Sequence, residues 1–149
     1  MHERARFFSE ETWTGGVIGL GYVGLPLAVS LVEAGLDAVG FDSSEDRVRM
    51  LEAGSSPIED ISDERLQRAL DSGLEVTADA KRLIDTEVIF ICVPSPLGRN
   101  REPDMSFIRD AAATVGEVVR PGMLVSLEST TYPGTTEDVL VPAIEAAGL

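Results

Sequence analysis

Six residues near the start of the chain, Gly19-Leu20-Gly21-Tyr22-Val23-Gly24, place three glycines at the spacing G-x-G-x-x-G. In such a turn the first glycine permits a tight bend, the second lets the backbone approach a phosphate and the third allows a helix to pack closely on a strand. Backbone amides at a helix start have no intrahelical partner and attract anions. The motif therefore predicts a binding site for the pyrophosphate of a dinucleotide.

The residues that flank the motif supply the elements that such a site needs. Val17-Ile18 predicts the end of a buried strand, and the small apolar residues from Leu25 to Ala34 predict a buried helix. A second strand, Leu36 to Phe41, ends at Asp42, eighteen residues past Gly24.

A carboxylate at the position of Asp42 accepts hydrogen bonds from the hydroxyls of an adenosine ribose and repels a 2′-phosphate. This favours NAD over NADP as the cofactor. Arg47 complicates the inference, because a nearby guanidinium could accommodate such a phosphate.

Apolar runs and helical patterns alternate along the rest of the chain, which predicts a parallel sheet with crossover helices. The predicted elements are a helix from a cap at Ser43-Ser44 to Ala53, a loop at 55–60, a helix from Ser62 to Gly73, an edge strand Leu74 to Thr77, a short helix Ala80 to Asp85, a strand Val88 to Val93, a helix capped by Asp104 through Val119, a strand Met123 to Leu127, a loop Ser129 to Gly134 and a helix capped by Thr135 or Thr136 that ends near Gly148. The predicted fold class is α/β, a Rossmann-type doubly wound parallel sheet of order 3-2-1-4-5 with its final strand or strands missing.

The predicted topology brings four loops to one edge of the sheet, since ligands bind outside the carboxyl ends of the strands at the switch point between the first and fourth strands. These loops are the glycine turn, Asp42 with Arg47, Val93-Pro94-Ser95 and Ser129-Thr130-Thr131. The last two have an equally simple structural interpretation as a strand terminator and a helix lead-in.

The composition limits the function classes. A chain of 149 residues with 44% hydrophobic residues predicts one domain, here 15–149 after a poorly defined lead-in at 1–14. A net charge of −14 disfavours nucleic acid and anionic membrane as partners. With no apolar run long enough for a membrane span and no signal-like core at the N-terminus, we expect a soluble cytoplasmic protein.

The single cysteine and the single histidine argue against metal and thiol chemistry. Cys92 lies within an apolar strand, where it is expected to be a packed small hydrophobe, and His2 is close to the terminus. No metal site is predicted. Among 12 cations only Lys81 is a lysine, which is explained either by adaptation to concentrated salt or by a codon bias that favours arginine.

Three motifs in order, Ile18 to Pro26, Cys92 to Pro96 and Glu128 to Thr136, resemble the UDP-glucose/GDP-mannose dehydrogenase family, and the resemblance extends over nearly the whole chain from Gly16. It implies an NAD-dependent, homo-oligomeric enzyme that oxidises the C6 hydroxyl of a nucleotide sugar, UDP-glucose or a UDP-N-acetylhexosamine, to a uronic acid in two hydride transfers. The wording from Glu128 to Thr136 is most similar to the UDP-N-acetylhexosamine branch.

The resemblance also assigns roles by position. The glycine turn would hold the pyrophosphate, Asp42 and Arg47 the adenosine ribose region, and Val93-Pro94-Ser95 the middle of the cofactor. Ser129 and Thr130 would lie near the nicotinamide, with Thr131 in the same cofactor-binding loop. Thr130 is the one catalytic candidate, because it resembles the residue that helps to orient the water of the hydrolytic step.

The chain departs from the family in two respects. Trp13-Thr14-Gly15-Gly16 leads into the first strand in place of a longer apolar run, and family members are much longer, with their nucleophilic cysteine, catalytic lysine and substrate-clamping glutamate at positions beyond Leu149. We therefore expect this polypeptide to lack the substrate and dimerisation domains, to bind NAD and to catalyse nothing alone. Two alternatives remain open: a β-hydroxyacid dehydrogenase cofactor domain, which shares only the glycine motif, and a stand-alone NAD-responsive module.

Overall fold

The computed structural model describes residues 12–148. His2 and most of the expected lead-in lie outside this range. Five parallel strands form one sheet in the order β3-β2-β1-β4-β5, which confirms the predicted fold class and topology. The strands are β1 (Thr14–Ile18), β2 (Asp37–Phe41), β3 (Leu74–Thr77), β4 (Val88–Ile91) and β5 (Leu124–Leu127).

The crossover helices lie close to their predicted positions. They are α1 (Gly24–Glu33), α2 (Glu45–Glu52), α3 (Asp63–Ser72), a 3₁₀ helix (Ala80–Asp85), α4 (Ser106–Val118) and α5 (Val141–Gly148), which follows a π-helical turn (Thr136–Leu140). Ser44 and Ser62 cap α2 and α3, since each hydroxyl accepts a hydrogen bond from the amide three residues on. α3 ends at Gly73, whose φ of +127° favours glycine.

A hydrophobic core covers each face of the sheet. One cluster includes Val17, Leu25 and Leu66, and the other includes Ile89 and Val115, so β1 and β4 are buried on both faces as central parallel strands are. Both layers hold the carboxyl ends of β1 and β4 in fixed positions.

β1 is longer than its two apolar residues indicate, because it includes the buried residues Gly15 and Gly16. A Cβ on Gly15 would lie 2.7 Å from Leu31 Cδ1, and one on Gly16 would lie 2.9 Å from Leu83 Cδ2. Side chains from the flanking helices therefore fill the space that a longer apolar run would occupy, and the unusual lead-in to the strand has a packing reason.

At the two later helix starts, the residues predicted as caps do not form the expected side-chain cap bonds. Met105 occupies the cap position of α4, and Asp104 accepts a hydrogen bond from the Ser106 amide one position further out. Thr135 holds the predicted cap position, before a π-helical turn that begins at residue 136 and leads into the last helix, but its hydroxyl donates to the carbonyl of Tyr132 and accepts from no helix amide. In both places a local loop bond takes up the polar group that was expected to cap the helix.

Candidate functional site

A cleft of about 590 Å³ lies at the carboxyl ends of the strands, where the crossovers from β1 and β4 diverge. Its volume is in the range of small-molecule and cofactor pockets. The cleft is lined by Ile18, Gly19, Leu20, Gly21, Tyr22, Val23, Phe41, Asp42, Ser43, Ser44, Arg47, Cys92, Val93, Pro94, Phe107, Asp110, Ala111 and Thr114. It therefore brings together the predicted glycine turn, acidic residue and post-β4 loop.

The first and third glycines of the turn fit the conformation and packing that the sequence predicts. Gly19 has a φ of +93°, and a Cβ there would lie 2.6 Å from the carbonyl oxygen of Cys92. A Cβ on Gly24 would lie 1.6 Å from the carbonyl oxygen of Gly19. Since both obstacles are backbone atoms, which cannot rotate away, only glycine fits at either position.

The second glycine faces open space instead. The nearest atom to a Cβ built on Gly21 is Arg47 Nη1, at 3.8 Å. The backbone amides of Gly21, Tyr22 and Val23 donate to no acceptor within residues 12–148. These three amides immediately precede α1 and line the cleft, an arrangement that suits an anion.

The amides of Gly19 and Leu20, which precede these three, donate to acceptors within the protein. Gly19 N donates to the carbonyl of Phe41 at 2.9 Å, and Leu20 N donates to Asp42 Oδ2 at 3.0 Å. The amides available to a phosphate therefore begin at Gly21.

Asp42 joins three elements at the end of β2. Its Oδ2 accepts from Leu20 N, and its Oδ1 accepts from Ser44 N at 2.9 Å, just before α2. The side chain is 15% exposed, and each carboxylate oxygen can accept further hydrogen bonds. The carboxylate is thus held rigidly at the mouth of the cleft while it keeps capacity to accept from ligand hydroxyls.

Arg47 reaches from α2 back to the glycine turn. Its Nη1 donates to the carbonyl of Leu20 at 3.0 Å, and its Nε lies 3.8 Å from Asp42 Oδ2. The guanidinium is therefore partly neutralised by the carboxylate beside it and has one donor occupied by the turn.

Cys92 lies under the turn as the packed small hydrophobe that the sequence predicts, with 8% of its surface exposed. Burial, with a smaller contribution from the charge of Glu128, raises the pKa of the thiol to about 12. The sulfur is therefore protonated at neutral pH and is not an active nucleophile.

The two loops after β4 and β5 meet beside the cleft. Val93 and Pro94 line it, whereas Ser95, Ser129, Thr130 and Thr131 do not. Two hydrogen bonds connect the loops: the Ser129 hydroxyl donates to the carbonyl of Val93 at 2.7 Å, and the Ser95 hydroxyl donates to the carbonyl of Thr130. Of these four residues, Ser129 bonds directly to a residue that lines the cleft, Val93.

One wall of the cleft, formed by α4, was not predicted from the sequence. This wall consists of Phe107, Asp110, Ala111 and Thr114. Their spacing of i, i+3, i+4 and i+7 defines one face of a helix, and the ring of Phe107 is 40% exposed although it is apolar. This spacing does not mark a separate face in the sequence, because Ala111 also belongs to the buried face of α4.

Within residues 12–148 no cluster of three potential metal ligands occurs, and no helix is long and apolar enough to cross a membrane.

Comparison with known proteins agrees with this geometry. The sequence profile described as "UDP-glucose/GDP-mannose dehydrogenase family, NAD binding domain" matches residues 15–148. The UDP-N-acetyl-D-mannosamine dehydrogenase of Pyrococcus horikoshii is 42% identical over 123 residues, which cover 81% of this chain and 29% of the relative. A UDP-N-acetyl-D-glucosamine 6-dehydrogenase of Pseudomonas aeruginosa is 36% identical over 129 residues, which cover 87% of this chain and 30% of the relative.

Among solved structures, a UDP-glucose dehydrogenase from Pyrobaculum islandicum superimposes with a TM-score of 0.86 at 34% identity, covering 93% of this chain and 34% of that one. The chain thus spans about a third of the length of these relatives.

Proposed function

The chain belongs to the UDP-glucose/GDP-mannose dehydrogenase family, whose NAD-binding domain it matches over residues 15–148, and from this premise we propose that it is the cofactor-binding part of a UDP-sugar 6-dehydrogenase. The complete enzyme would oxidise the C6 hydroxyl of the sugar to a carboxylate in two hydride transfers. The substrate class is proposed to be a UDP-N-acetylhexosamine, since the relatives include dehydrogenases named for UDP-N-acetylmannosamine and UDP-N-acetylglucosamine.

The observation that carries the proposal is the open cradle at Gly21. Three amides without acceptors in residues 12–148 line the cleft at the start of α1, and nothing lies within 3.8 Å of a Cβ built on Gly21. A diphosphate needs donors and a close backbone approach, and both are present. The residues of the turn therefore fit NAD, which supplies the hydride-accepting ring when bound.

Asp42 and Arg47 support NAD rather than NADP. Asp42 presents a carboxylate at the position that contacts the adenosine ribose in this fold, where a 2′-phosphate would meet a negative charge. Arg47 offers little compensation, because its guanidinium already bonds Leu20 O and lies against the same carboxylate.

Thr130 is proposed as the residue of this domain closest to the reaction. It follows β5, its side chain is exposed, and its carbonyl is fixed by Ser95. In the complete enzyme the oxidised sugar would be bound to the nucleophilic cysteine of the family. A hydroxyl at Thr130 can orient the water molecule that hydrolyses this thiol-bound intermediate to the acid. The thiol that carries this intermediate, and leaves when water attacks it, is not Cys92, because this thiol is buried and protonated.

Calorimetric titration of the chain with NAD and NADP tests the cofactor site: we expect NAD to bind at least about tenfold more tightly. Failure to bind NAD would contradict the proposal. The reaction is tested in a protein that joins this domain to its substrate domain, where each UDP-N-acetylhexosamine consumed should yield two NADH. With Thr130→Ala, conversion of the aldehyde to the acid should fall much more than NAD affinity, and an equal loss of both would refute the role of Thr130.

A further inference from the structure

The loops after β4 and β5 stay joined after the backbone ladder between the strands has ended. The last backbone bond runs from Glu128 N to Ile91 O at 2.9 Å. Beyond it, the Ser129 hydroxyl donates to Val93 O at 2.7 Å, and the Ser95 hydroxyl donates to Thr130 O. Each loop thus gives one hydroxyl and receives one on a carbonyl, and this pair of bonds is named the serine clasp.

The need to satisfy buried polar groups does not explain the serine clasp. Val93, Ser95 and Ser129 are half-buried and Thr130 is exposed, so water could reach these groups if the bonds were absent. A hydrogen bond that water can replace contributes little to folding. The effect of the two bonds is therefore geometric, since they fix where one loop lies relative to the other.

The position of the serine clasp in the sheet indicates what it serves. Asp42 follows β2 and the phosphate-binding amides follow β1, so a dinucleotide that contacts both runs from β2 toward β1. The strand order places β4 and β5 next in the same direction. The second nucleoside half must then cross the loops that the serine clasp joins.

We propose that Ser95 and Ser129 are positioning residues for the nicotinamide half of NAD, an inference that rests on the proposed function. They act through other groups: Ser129 fixes Val93, which lines the cleft, and Ser95 fixes the backbone of Thr130. The adenosine half binds on the other side of the glycine turn and does not depend on either serine.

Two ligands separate these halves. ADP contains only the adenosine and the pyrophosphate, whereas NAD adds the second ribose and the nicotinamide. In the double variant Ser95→Ala/Ser129→Ala we expect the Kd for NAD to rise about five- to tenfold, as the loss of one or two hydrogen bonds would cause. The Kd for ADP should stay within about twofold of the wild-type value.

Two further measurements distinguish positioning from general damage. The enhancement of NADH fluorescence on binding reports the surroundings of the nicotinamide, and it should fall in the double variant. The variant Ser95→Thr/Ser129→Thr keeps both hydroxyls and should restore NAD affinity and fluorescence. Ser126→Ala is the matched control, because Ser126 donates to Glu128 within its own segment and joins no second loop; neither affinity should change.

A failure of this proposal can be distinguished from a failure of the proposed function. Wild-type protein that binds neither ligand would refute the cofactor site itself. Wild-type protein that binds NAD and ADP equally well, or a double variant with unchanged NAD affinity and fluorescence, would overturn the proposed role of the serine clasp. An equal loss of both ligands would also overturn it. Should the double variant fail to fold, the single variants Ser95→Ala and Ser129→Ala each remove one bond and give the same comparison.

Discussion

The carboxylate of Asp42 accepts a hydrogen bond from the backbone amide of Leu20 at 3.0 Å. This bond ties the residue assigned to the ribose to the turn assigned to the pyrophosphate, across 22 positions of sequence. Arg47 closes the same unit by donating to the carbonyl of Leu20. The ribose site and the phosphate site are therefore one rigid structure, and a change at Asp42 should disturb both.

Replacing Asp42 by alanine should weaken NAD binding by about tenfold or more, because hydrogen bonds to a charged group contribute about 1.5–3 kcal/mol. NADP should lose less, since the charge that repels its 2′-phosphate disappears. Calorimetric titration of both cofactors measures the change in preference. Asp46→Ala is the matched control, as Asp46 is an exposed carboxylate of α2 that does not line the cleft. An unchanged ratio of NAD to NADP affinity would show that Asp42 does not select the cofactor.

The topology of the sheet was predictable because the signals for it are local. Apolar runs bounded by Gly73 and Pro94 mark the strands, and the right-handed crossover rule converts their sequence order into the spatial order 3-2-1-4-5. The glycine turn was equally predictable, because the spacing of its glycines is a local signal. In the structure, Gly19 and Gly24 lie where a backbone atom excludes any side chain.

The features of the site that could not be predicted depend on contacts between segments distant in sequence. No local pattern tells that Leu20 N is taken by Asp42, that Ser95 and Ser129 bond backbone rather than facing the cleft, or that Phe107 forms one wall of it. Thr135 holds the predicted cap position without a side-chain cap bond for a related reason: its hydroxyl donates to an acceptor in its own loop, the carbonyl of Tyr132.

The thiol of Cys92 should be almost inert in the folded chain. Its pKa is raised to about 12, so at pH 8 the thiolate population is roughly a thousandfold smaller than for an ordinary cysteine. Reaction with a chromogenic disulfide reagent at pH 8 should be very slow in buffer and fast in denaturing urea. Because the chain has one cysteine, the whole signal comes from this residue. Rapid reaction of the folded protein would contradict the burial of the thiol.

The ion pair between Glu75 and Arg82 predicts a pH-dependent contribution to stability. Two hydrogen bonds from Arg82, at 2.7 and 2.9 Å, lower the pKa of the Glu75 carboxyl. A carboxylate whose pKa is lowered by folding stabilises the folded state above its ordinary pKa, and this contribution is lost as the pH falls through the lowered value.

Arg82→Gln should therefore lower the midpoint of thermal unfolding slightly at pH 7, and this difference from wild type should shrink as the pH falls and Glu75 becomes protonated. Both partners are about half exposed, so the effect is small. Arg109→Gln, at an exposed arginine of α4 for which residues 12–148 provide no ion pair, is the control. A difference from wild type that does not change as the pH is lowered would assign the effect to packing of the arginine stem.

Stability should rise with KCl concentration. The chain carries 26 acidic and 12 basic residues, and five ion pairs join these groups within residues 12–148. The remaining carboxylates repel one another. Molar salt shortens the range of this repulsion to about 3 Å and so weakens it. Thermal unfolding in 0.1 M and 2 M KCl measures the effect, with the uncharged osmolyte sucrose as a comparison. An unfolding midpoint that does not rise with KCl would leave codon bias as the reason for the arginine excess.

The Gly21→Ala variant tests the central claim most directly, in a calorimetric titration with NAD. Its Cβ meets no protein atom closer than 3.8 Å, whereas a Cβ at Gly24 would meet a backbone oxygen at 1.6 Å. We therefore predict that Gly21→Ala unfolds at the wild-type temperature and loses NAD binding, because the methyl group fills the place of the pyrophosphate, while Gly24→Ala is strongly destabilised. Wild-type NAD affinity in a folded Gly21→Ala protein would contradict the assignment of this turn as the diphosphate site.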